Sequence, residues 1–177
     1  MVALLRGSAQ SILLHAQRPL RNGGLPCSTQ SNPAVQASHL LDSYKGRAYP
    51  GRVTFRLRFS DMDTMLHVNN VSYFTFFEQA RCELWVATGM SLNGKGEGPI
   101  LKTIGAEFKA PLQFPDEVTV GVRAVQLSPK EYEHSYACIS HASGRVVATG
   151  HALFVNFDYD QGRPVDMSET MRKMLFA

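Results

Sequence analysis

A carboxylate, a histidine and two asparagines lie directly before an apolar segment that has the composition of a helix. Asp63, His67, Asn69 and Asn70 all fall within the eight residues that precede Val71. Their polar groups collect around the amino end of the predicted helix, where free backbone N–H groups favour developing negative charge. Residues of these types in this order are suited to attack on an activated acyl group such as a thioester. That attack needs a base or nucleophile at the carbonyl carbon and hydrogen-bond donors for the oxyanion.

Asp63 is the predicted base or nucleophile of such a site. It either attacks the thioester carbonyl directly or orients and deprotonates a water molecule, and the sequence leaves both routes open. The backbone N–H groups near Asn70 and Val71 are predicted to hold the carbonyl oxygen. Tyr73, on the first helical turn, is a candidate donor near the same oxygen. This chemistry requires no metal and no cofactor.

Each of these residues also has a structural interpretation. An aspartate before a helix stabilises the helix amino end wherever it occurs, so Asp63 is explained equally well as a turn residue. Asn69 and Asn70 are both of a type preferred at helix caps. Tyr73 in an apolar helix is more often a core residue whose hydroxyl finds a hydrogen-bond partner. Spacing alone leaves the catalytic and structural interpretations of Asp63 evenly balanced.

The segment from Phe59 to Arg81, FSDMDTMLHVNNVSYFTFFEQAR, resembles the hot-dog-fold thioesterases related to 4-hydroxybenzoyl-CoA thioesterase. The DxD, HVNN, tyrosine and ExAR elements of that family occur here in the same order. The resemblance implies that Asp63 is the nucleophile or base, whereas Asp61 is interpreted as structural. It also implies that His67 lies near the substrate, in a polarising or a positional role.

Met65 departs from the pattern of plant acyl-carrier-protein thioesterases, which have an asparagine two residues after the aspartate. If that asparagine holds the aspartate or a water molecule, its absence leaves a simpler mechanism centred on Asp63. The departure also motivates an alternative function, a non-catalytic hot-dog subunit that is a structural component of a larger mitochondrial complex. A hydratase of the same fold fits less well, because hydratases rely on a differently placed Asp–His pair.

The elements that position these residues follow from hydrophobic periodicity and from turn residues. Alternation from Arg52 to Phe59 predicts a first strand. The apolar segment from Val71 to about Thr88 predicts a helix that ends before Gly89. Either Asn69 or Asn70 is its predicted N-cap. Four further strands and a short closing helix capped by Ser168 are predicted, at Ile100 to Lys109, Glu117 to Gln126, Glu131 to Ser140, Arg145 to Phe157 and Asp166 to Phe176.

Apolar residues occupy most of the circumference of the predicted helix, so other elements must surround it. Phe74, Phe77 and Trp85 are interpreted as core residues first and as the lining of an acyl pocket second. Glu78 and Arg81 have the spacing of an ion pair on the helix.

One long apolar helix after the first strand, followed by several antiparallel strands, predicts an α+β fold in which the sheet curls around the helix. The hot-dog fold, a curved antiparallel sheet wrapped around one long central helix, has this description, and the resemblance covers about Arg52 to Leu175. It implies a homodimer or a dimer of dimers, with edge pairing of the sheets and the active site between subunits. The implied substrate is an acyl-CoA or acyl carrier protein thioester. Candidate contacts to coenzyme A phosphates are Lys109, Arg123, Lys130 and Arg145.

The first 41 residues contain no Asp or Glu, whereas Arg6, Arg18 and Arg21 are spread among Leu, Ile, Ala, Ser and Gln. This composition is typical of an organelle transit peptide, and the spacing of Leu and Ile favours a mitochondrial one. We therefore predict a transit peptide and linker in residues 1–44 and a hot-dog thioesterase domain in residues 49–177. The alternative is an ordinary N-terminal extension that carries no targeting signal.

Composition argues against several other classes of protein. The net charge of +3 is modest and the basic residues form no stripe with interleaved aromatics, so no nucleic-acid partner is expected. Cys27, Cys82 and Cys138 are odd in number and far apart, which predicts neither a disulfide framework nor a zinc site. No apolar stretch reaches the roughly 20 residues that span a bilayer, so no membrane span is expected. The DxD pair is not followed by carboxylates at the spacing of a divalent-metal site.

Overall fold

The computed structural model describes residues 39–176 of the 177-residue chain. In chain order its strands and longer helices are β1 (Gly51–Arg56), α1 (Asn70–Ala87), β2 (Glu97–Phe108), β3 (Glu117–Gln126), β4 (Glu131–Ser140), β5 (Arg145–Asp158), β6 (Arg163–Pro164) and α2 (Glu169–Phe176). A short 3-10 turn at Phe59–Asp61 lies between β1 and α1. Residues 39–43 are also helical.

The strands form one antiparallel sheet in the order β1-β3-β4-β5-β2, and β6 pairs with the end of β5. Helix α1 packs against one face of this sheet, because its buried residues share one hydrophobic core with residues of β3, β4 and β5. The strand order leaves β1 and β2 at the two edges. The predicted α+β architecture, a curved antiparallel sheet around one long central helix, is confirmed.

The bounds of β3 and β4 are those predicted, whereas β1 and β2 differ from the predicted bounds at both ends. Strand β2 begins earlier than predicted because Glu97 pairs with Asp158 at the end of β5. Strand β1 ends at Arg56, and the next residue, Leu57, donates its N–H to Asp116 O just outside β3. The two-residue strand β6 has no predicted counterpart.

Helix α1 begins one residue earlier than predicted and ends as predicted. Asn69 is its N-cap, since Asn69 Oδ1 accepts the Val71 N–H at 2.9 Å. Gly89 follows the helix with φ +89° and donates its N–H to Val86 O. A glycine with positive φ just after the last turn is the expected helix stop. The buried residues of the helix are Tyr73, Phe76, Phe77, Ala80, Arg81 and Trp85.

Aromatic packing holds α1 against the sheet. The Phe77 ring stacks on the Tyr136 ring of β4, with centroids 4.7 Å apart. Gly150 of β5 makes room for this pair, because a Cβ there would lie 2.5 Å from the Phe77 ring. Phe77 and Trp85 are buried in the core and Phe74 packs against it, as the core interpretation of these residues expects.

The segment before β1 packs on the outer face of the sheet, opposite α1. Leu41 and Tyr49 form a second small core with Ala137 and Ile139 of β4. Leu41 is fully buried. The packed part of the chain therefore includes Leu41, which the sequence analysis places in the leader and linker. The rest of the predicted leader, residues 1–38, lies outside the described residues.

Among residues 39–176, no helix is long and apolar enough to cross a membrane. The same part of the chain holds no group of three or more His, Cys, Asp or Glu side chains placed to bind a metal ion. Cys82 and Cys138 are free thiols, and burial raises the pKa of both. Neither has the lowered pKa that marks a reactive thiolate.

Candidate active site

The residues around Asp63 form a tight hairpin-like loop before α1. The Asp63 N–H donates to His67 O at 3.0 Å, and the Leu66 N–H donates to Asp63 O at 3.0 Å. Met62 and Val68 form an antiparallel bridge at the base of the loop. Leu66 has φ +60°, in the left-handed region that closes tight turns and that non-glycine residues rarely adopt. Backbone hydrogen bonds on both sides of Asp63 therefore fix its position.

The loop is held against the segment that connects β2 to β3. The Val68 N–H donates to Leu112 O at 2.8 Å, and Gln113 Nε2 donates to Leu66 O at 3.1 Å. Val68 and Leu112 are both buried. These contacts bring the loop before α1 next to residues that follow β2, and the Gln113 contact spans 47 positions in the sequence.

Asp61 has the structural role that the sequence analysis expects. Its side chain is buried and accepts hydrogen bonds from the Arg58 N–H at 2.7 Å and from Arg58 Nη2 at 2.8 Å. Its backbone oxygen accepts from the Asn69 N–H at 2.9 Å and from Ser72 Oγ at 3.0 Å. Asp61 thereby connects the end of the first strand region to the start of α1.

The carboxylate of Asp63 is half-buried and accepts two hydrogen bonds. Asp63 Oδ1 accepts the Met65 N–H at 2.8 Å, and Asp63 Oδ2 accepts from Asn69 Nδ2 at 3.2 Å. The bond from Met65 is the local turn role that the structural interpretation predicts. A carboxylate offers about four lone-pair sites, so two hydrogen bonds leave acceptor capacity for a water molecule or a substrate.

The departure at Met65 does not remove this hydrogen bond. Met65 uses its backbone N–H to hold Asp63, and its side chain is exposed. Any residue except proline supplies the same N–H. The amide that holds the second carboxylate oxygen comes from Asn69, which also caps α1.

The amino end of α1 has one backbone donor left open. Asn69 Oδ1 occupies the Val71 N–H, and Asn69 O accepts the Ser72 N–H at 2.9 Å. The Asn70 N–H has no acceptor among residues 39–176. Of the two predicted oxyanion donors, Asn70 therefore has a free N–H, whereas the N–H of Val71 is already paired.

A cavity of about 350 Å³ lies beside the amino end of α1. His67, Asn70 and Tyr73, three of the five predicted site residues, lie in its wall. Asp63 is not a wall residue, but its backbone N–H donates to the wall residue His67, and its carboxylate accepts from Asn69, the residue before Asn70. Val71 is 63% exposed and lies outside the cavity. The catalytic and binding roles of these residues remain predictions.

Tyr73 is a core residue that also lies in the cavity wall, and its role as a donor stays a prediction. Its side chain is buried, and its ring packs edge-on against the ring of Phe108 at a centroid distance of 5.1 Å. Burial raises the pKa of Tyr73, so its hydroxyl stays protonated at neutral pH. A protonated hydroxyl in the cavity wall is a hydrogen-bond donor and not a base.

The opposite wall consists of residues that the sequence analysis does not assign to the site. They are Phe108, Lys109, Ala110, Pro111 and Leu112, at the end of β2 and just after it. Only Lys109 belongs to the predicted set of phosphate contacts, and its Nζ lies 2.6 Å from Glu107 Oε2. Residues 108–112 read FKAPL, and the Pro-Leu turn directly after a predicted strand is the sequence signal that could have pointed to this wall.

The sequence of the folded part identifies its family. Residues 57–175 match the sequence profile of the thioesterase-like superfamily. The chain belongs to that superfamily. Thioester hydrolysis, the predicted enzyme class, is the activity for which this superfamily is named. A search of curated proteins found no match.

Solved structures share the fold of this superfamily member. A protein from Pseudomonas aeruginosa strain PAO1 is 25% identical, with a TM-score of 0.65, over 72% of this chain and 90% of its own. A gentisyl-coenzyme A thioesterase is 25% identical, with a TM-score of 0.61, over 70% of this chain and 98% of its own. A 1,4-dihydroxy-2-naphthoyl-CoA thioesterase from Synechocystis is 15% identical, with a TM-score of 0.63, over 71% and 96%.

Proposed function

We propose that this protein hydrolyses acyl-CoA or acyl carrier protein thioesters to the free acid and the thiol. Asp63 is the base or nucleophile, and the Asn70 N–H is the oxyanion donor. The observation that carries this proposal is the open N–H of Asn70 at the amino end of α1, one short loop from a half-buried carboxylate. One well-placed oxyanion donor lowers such a barrier by about 3 kcal/mol.

Two routes use the same residues. In the first, an Asp63 oxygen attacks the thioester carbonyl, the thiolate leaves, and water hydrolyses the resulting anhydride to regenerate the carboxylate. In the second, Asp63 takes a proton from a water molecule that attacks the carbonyl, and the thiolate leaves as the tetrahedral intermediate collapses. The carbonyl oxygen gains negative charge in both routes, so both need the Asn70 N–H.

The neighbouring residues support substrate binding in the cavity. Tyr73 and His67 lie in the same cavity wall as Asn70, which supports a role for both in orienting an acyl group. Lys109 is a positive charge in the opposite wall, which suits the phosphates of coenzyme A. The two named relatives act on CoA thioesters, which makes CoA the first carrier to test.

The proposal also includes pairing with a second copy of the chain and a mitochondrial location. Strand β2 is an edge of the sheet and ends at Phe108 in the cavity wall, so pairing of two β2 edges would place a partner subunit beside the site. Leu101 and Phe108 of this strand are exposed apolar residues, as an edge that pairs with another copy would have. Residues 1–38 are basic and lack acidic residues, which supports mitochondrial import.

Thiol release from a panel of acyl-CoA substrates tests the activity. The panel spans short, medium and long chains and one aromatic acyl group, and the full chain is compared with Asp63→Asn. We expect Asp63→Asn to lose about 10²–10⁴-fold in kcat, as the removal of a catalytic base does. Its melting temperature should stay within a few degrees, because the amide oxygen still accepts the Met65 N–H.

Asp166→Asn is the matched control, since this carboxylate is exposed and lies 3.9 Å from its nearest cation, Lys130. It should hydrolyse thioesters like the unmodified protein. A well-folded protein that releases no thiol from any member of the panel would support the non-catalytic subunit. An Asp63→Asn protein that unfolds would show that Asp63 is mainly a turn residue.

A further inference from the structure

A groove of about 820 Å³ lies on the outer face of the sheet, opposite α1. Residues 44–49, which precede β1, form one side of it, and residues of β2, β4 and β5 form the other side. The groove shares no wall residue with the cavity at Tyr73. The match to the family profile begins at residue 57, so the side formed by residues 44–49 lies outside the part of the chain that matches the family.

Buried contacts fix the position of that first side. Leu41 is fully buried, and the Tyr49 N–H donates to Leu41 O at 2.9 Å. Both residues pack directly on Gly121 of β3, where a Cβ would lie 2.4 Å from Leu41 and 2.9 Å from Tyr49. The groove therefore has two walls that are part of the folded core.

Lys45 lies in a tight turn at the edge of the groove, in a conformation that its residue type rarely adopts. Tyr44 and Arg47 form an antiparallel bridge, and between them Lys45 has φ +51° and Gly46 has φ +71°. A turn with positive φ at both central positions favours Asn-Gly or Gly-Gly. Among residues 39–176 the only other non-glycine residue with positive φ is Leu66, in the loop of the candidate active site. Rare backbone conformations concentrate at functional sites, so the lysine at this position points to a role for its side chain.

The two cations on this side of the groove are unpaired. Lys45 and Arg47 are exposed wall residues, and neither has a salt bridge to a carboxylate in residues 39–176. Glu107, in the opposite wall, is already paired with Lys109 Nζ at 2.6 Å and with Thr149 Oγ1 at 3.4 Å. Two adjacent unpaired cations at the edge of a concave surface are suited to a chain of phosphates.

The sheet side of the groove has groups that suit an uncharged, hydroxyl-bearing part of a ligand. Glu133, Ser135 and Thr149 lie in this wall, and Ser135 Oγ donates to Glu133 Oε1 at 3.4 Å. A carboxylate repels phosphate but accepts hydrogen bonds from ribose hydroxyls or from the amino group of a base. Tyr44 and Tyr49 add aromatic surface to the wall that carries the cations. The groove therefore separates a place for negative charge from a place for hydrogen-bond donors.

We propose that this groove binds a free nucleoside polyphosphate. The phosphates lie against Lys45 and Arg47, and the ribose and base lie on the side formed by β4 and β5. The volume of about 820 Å³ falls within the roughly 300–1,000 Å³ of small-molecule sites. Binding requires no turnover and uses no residue of the candidate active site, so this proposal and the proposed hydrolysis fail separately.

Isothermal titration calorimetry of the full-length protein with ATP measures the binding. Adenosine and tripolyphosphate are the probes of the two parts of the ligand. We expect saturable binding of ATP and at least about tenfold weaker binding of either part alone. Asp63→Asn should bind ATP like the unmodified protein, because Asp63 belongs to the candidate active site.

Lys45→Gly is the variant that tests the site. It removes the cation and places at φ +51° the residue type that adopts this conformation most readily, so the variant should fold normally. It should weaken ATP binding at least about tenfold. Lys95→Gly removes the same charge from an exposed loop outside the groove and should leave ATP binding unchanged. Arg47→Gln is a second variant of the site and should weaken binding as Lys45→Gly does.

Coenzyme A also carries a nucleoside diphosphate, and a parallel titration with coenzyme A identifies which source of this chemistry the groove recognises. Its affinity should be the same for Lys45→Gly and for the unmodified protein. An equal loss of affinity for ATP and for coenzyme A in Lys45→Gly would show instead that the groove belongs to the substrate site. That result would overturn the proposal. So would the absence of saturable ATP binding, binding of adenosine or tripolyphosphate as tight as that of ATP, or an equal effect of Lys95→Gly.

Discussion

The two ends of helix α1 have polar groups in opposite surroundings. At the amino end, the carboxylate of Asp63 is half-buried, hydrogen-bonded and near one open backbone donor, the Asn70 N–H. At the carboxyl-terminal half, Arg81 and Trp85 are buried, and most of their donors are unpaired. The first end holds its polar groups partly exposed through local hydrogen bonds, whereas the polar groups of the second end are buried in the core.

The origin of the contacts explains this difference. The groups around Asp63 come from Met65, His67 and Asn69, all within six residues of it along the chain. The groups around Arg81 include Tyr132, His134 and Phe154, which reach it only through β4 and β5. A change at the amino end should therefore alter activity more than stability, and a change at the other end should do the reverse.

The largest expected effect is the loss of Trp85. Trp85→Ala removes a buried ring that packs on Phe154 at 5.4 Å, so it should lower the free energy of unfolding by about 3–5 kcal/mol. Urea unfolding followed by circular dichroism measures the change. Val71→Ala, at the exposed amino end of the same helix, should stay within about 0.5 kcal/mol. Equal losses from the two variants would contradict the division of α1 into two functional ends.

The next largest effect concerns His134, which should make the free energy of unfolding depend on pH. Burial, together with the Arg81 charge, lowers its pKa in the folded protein from 6.5 to about 3. Between these values the unfolded chain binds a proton that the folded protein does not bind. Stability contributed by this residue is therefore full above pH 6.5 and falls as the pH is lowered, by about 1.4 kcal/mol per pH unit.

His134→Phe keeps an aromatic ring among Trp85, Tyr132 and Phe154 but cannot be protonated. Urea unfolding from pH 7.5 to pH 4.5 should show a shallower loss of stability for this variant than for the unmodified protein. Parallel curves for the two proteins would show that His134 is not the group responsible.

A smaller effect is expected at Asn69, which caps α1 and also holds Asp63. Asn69→Ala should lower the free energy of unfolding by about 1 kcal/mol through loss of the cap and should also reduce thiol release. Asn69→Ser keeps a capping oxygen but lacks the amide that donates to Asp63 Oδ2. It should restore stability while leaving activity low, and restored activity in the Ser variant would show that the amide has no part in positioning Asp63.

The sequence predicts the sheet better than it predicts either end of the helix in detail. Strands β3 and β4 have their predicted bounds, because alternating residues and turn residues mark both ends of each. Strand β6 contains only two residues, one of them Pro164, and carries no pattern of its own. The burial of Leu41 depends on Ala137 and Ile139 of β4, so no local signal distinguishes it from a linker residue.

Three of the five predicted site residues line one cavity, whereas the hydrogen bonds around them do not follow from the sequence. Asn69 and Asn70 are equivalent as caps by residue type, and only the fold shows that Asn69 is the cap and that the Asn70 N–H is open. The Glu78 and Arg81 pair follows from its spacing and is present at 2.8 Å. The burial of Arg81 beside Trp85 does not follow from spacing, because it requires residues of β4 and β5.

The most direct test compares two Asn70 variants that both lack the side chain and of which only one keeps the backbone N–H. Asn70 is the first residue of α1, where proline is tolerated, and Asn69 before it has φ −59° and ψ 140°, a conformation that proline permits in its predecessor. Asn70→Ala and Asn70→Pro both remove the side chain, but only the proline variant lacks the N–H. We measure kcat for thioester hydrolysis and the melting temperature of both.

We expect similar melting temperatures for the two variants and a kcat about 10²–10³-fold lower for Asn70→Pro than for Asn70→Ala. Equal kcat values in two folded variants would contradict the central claim that this backbone N–H stabilises the oxyanion.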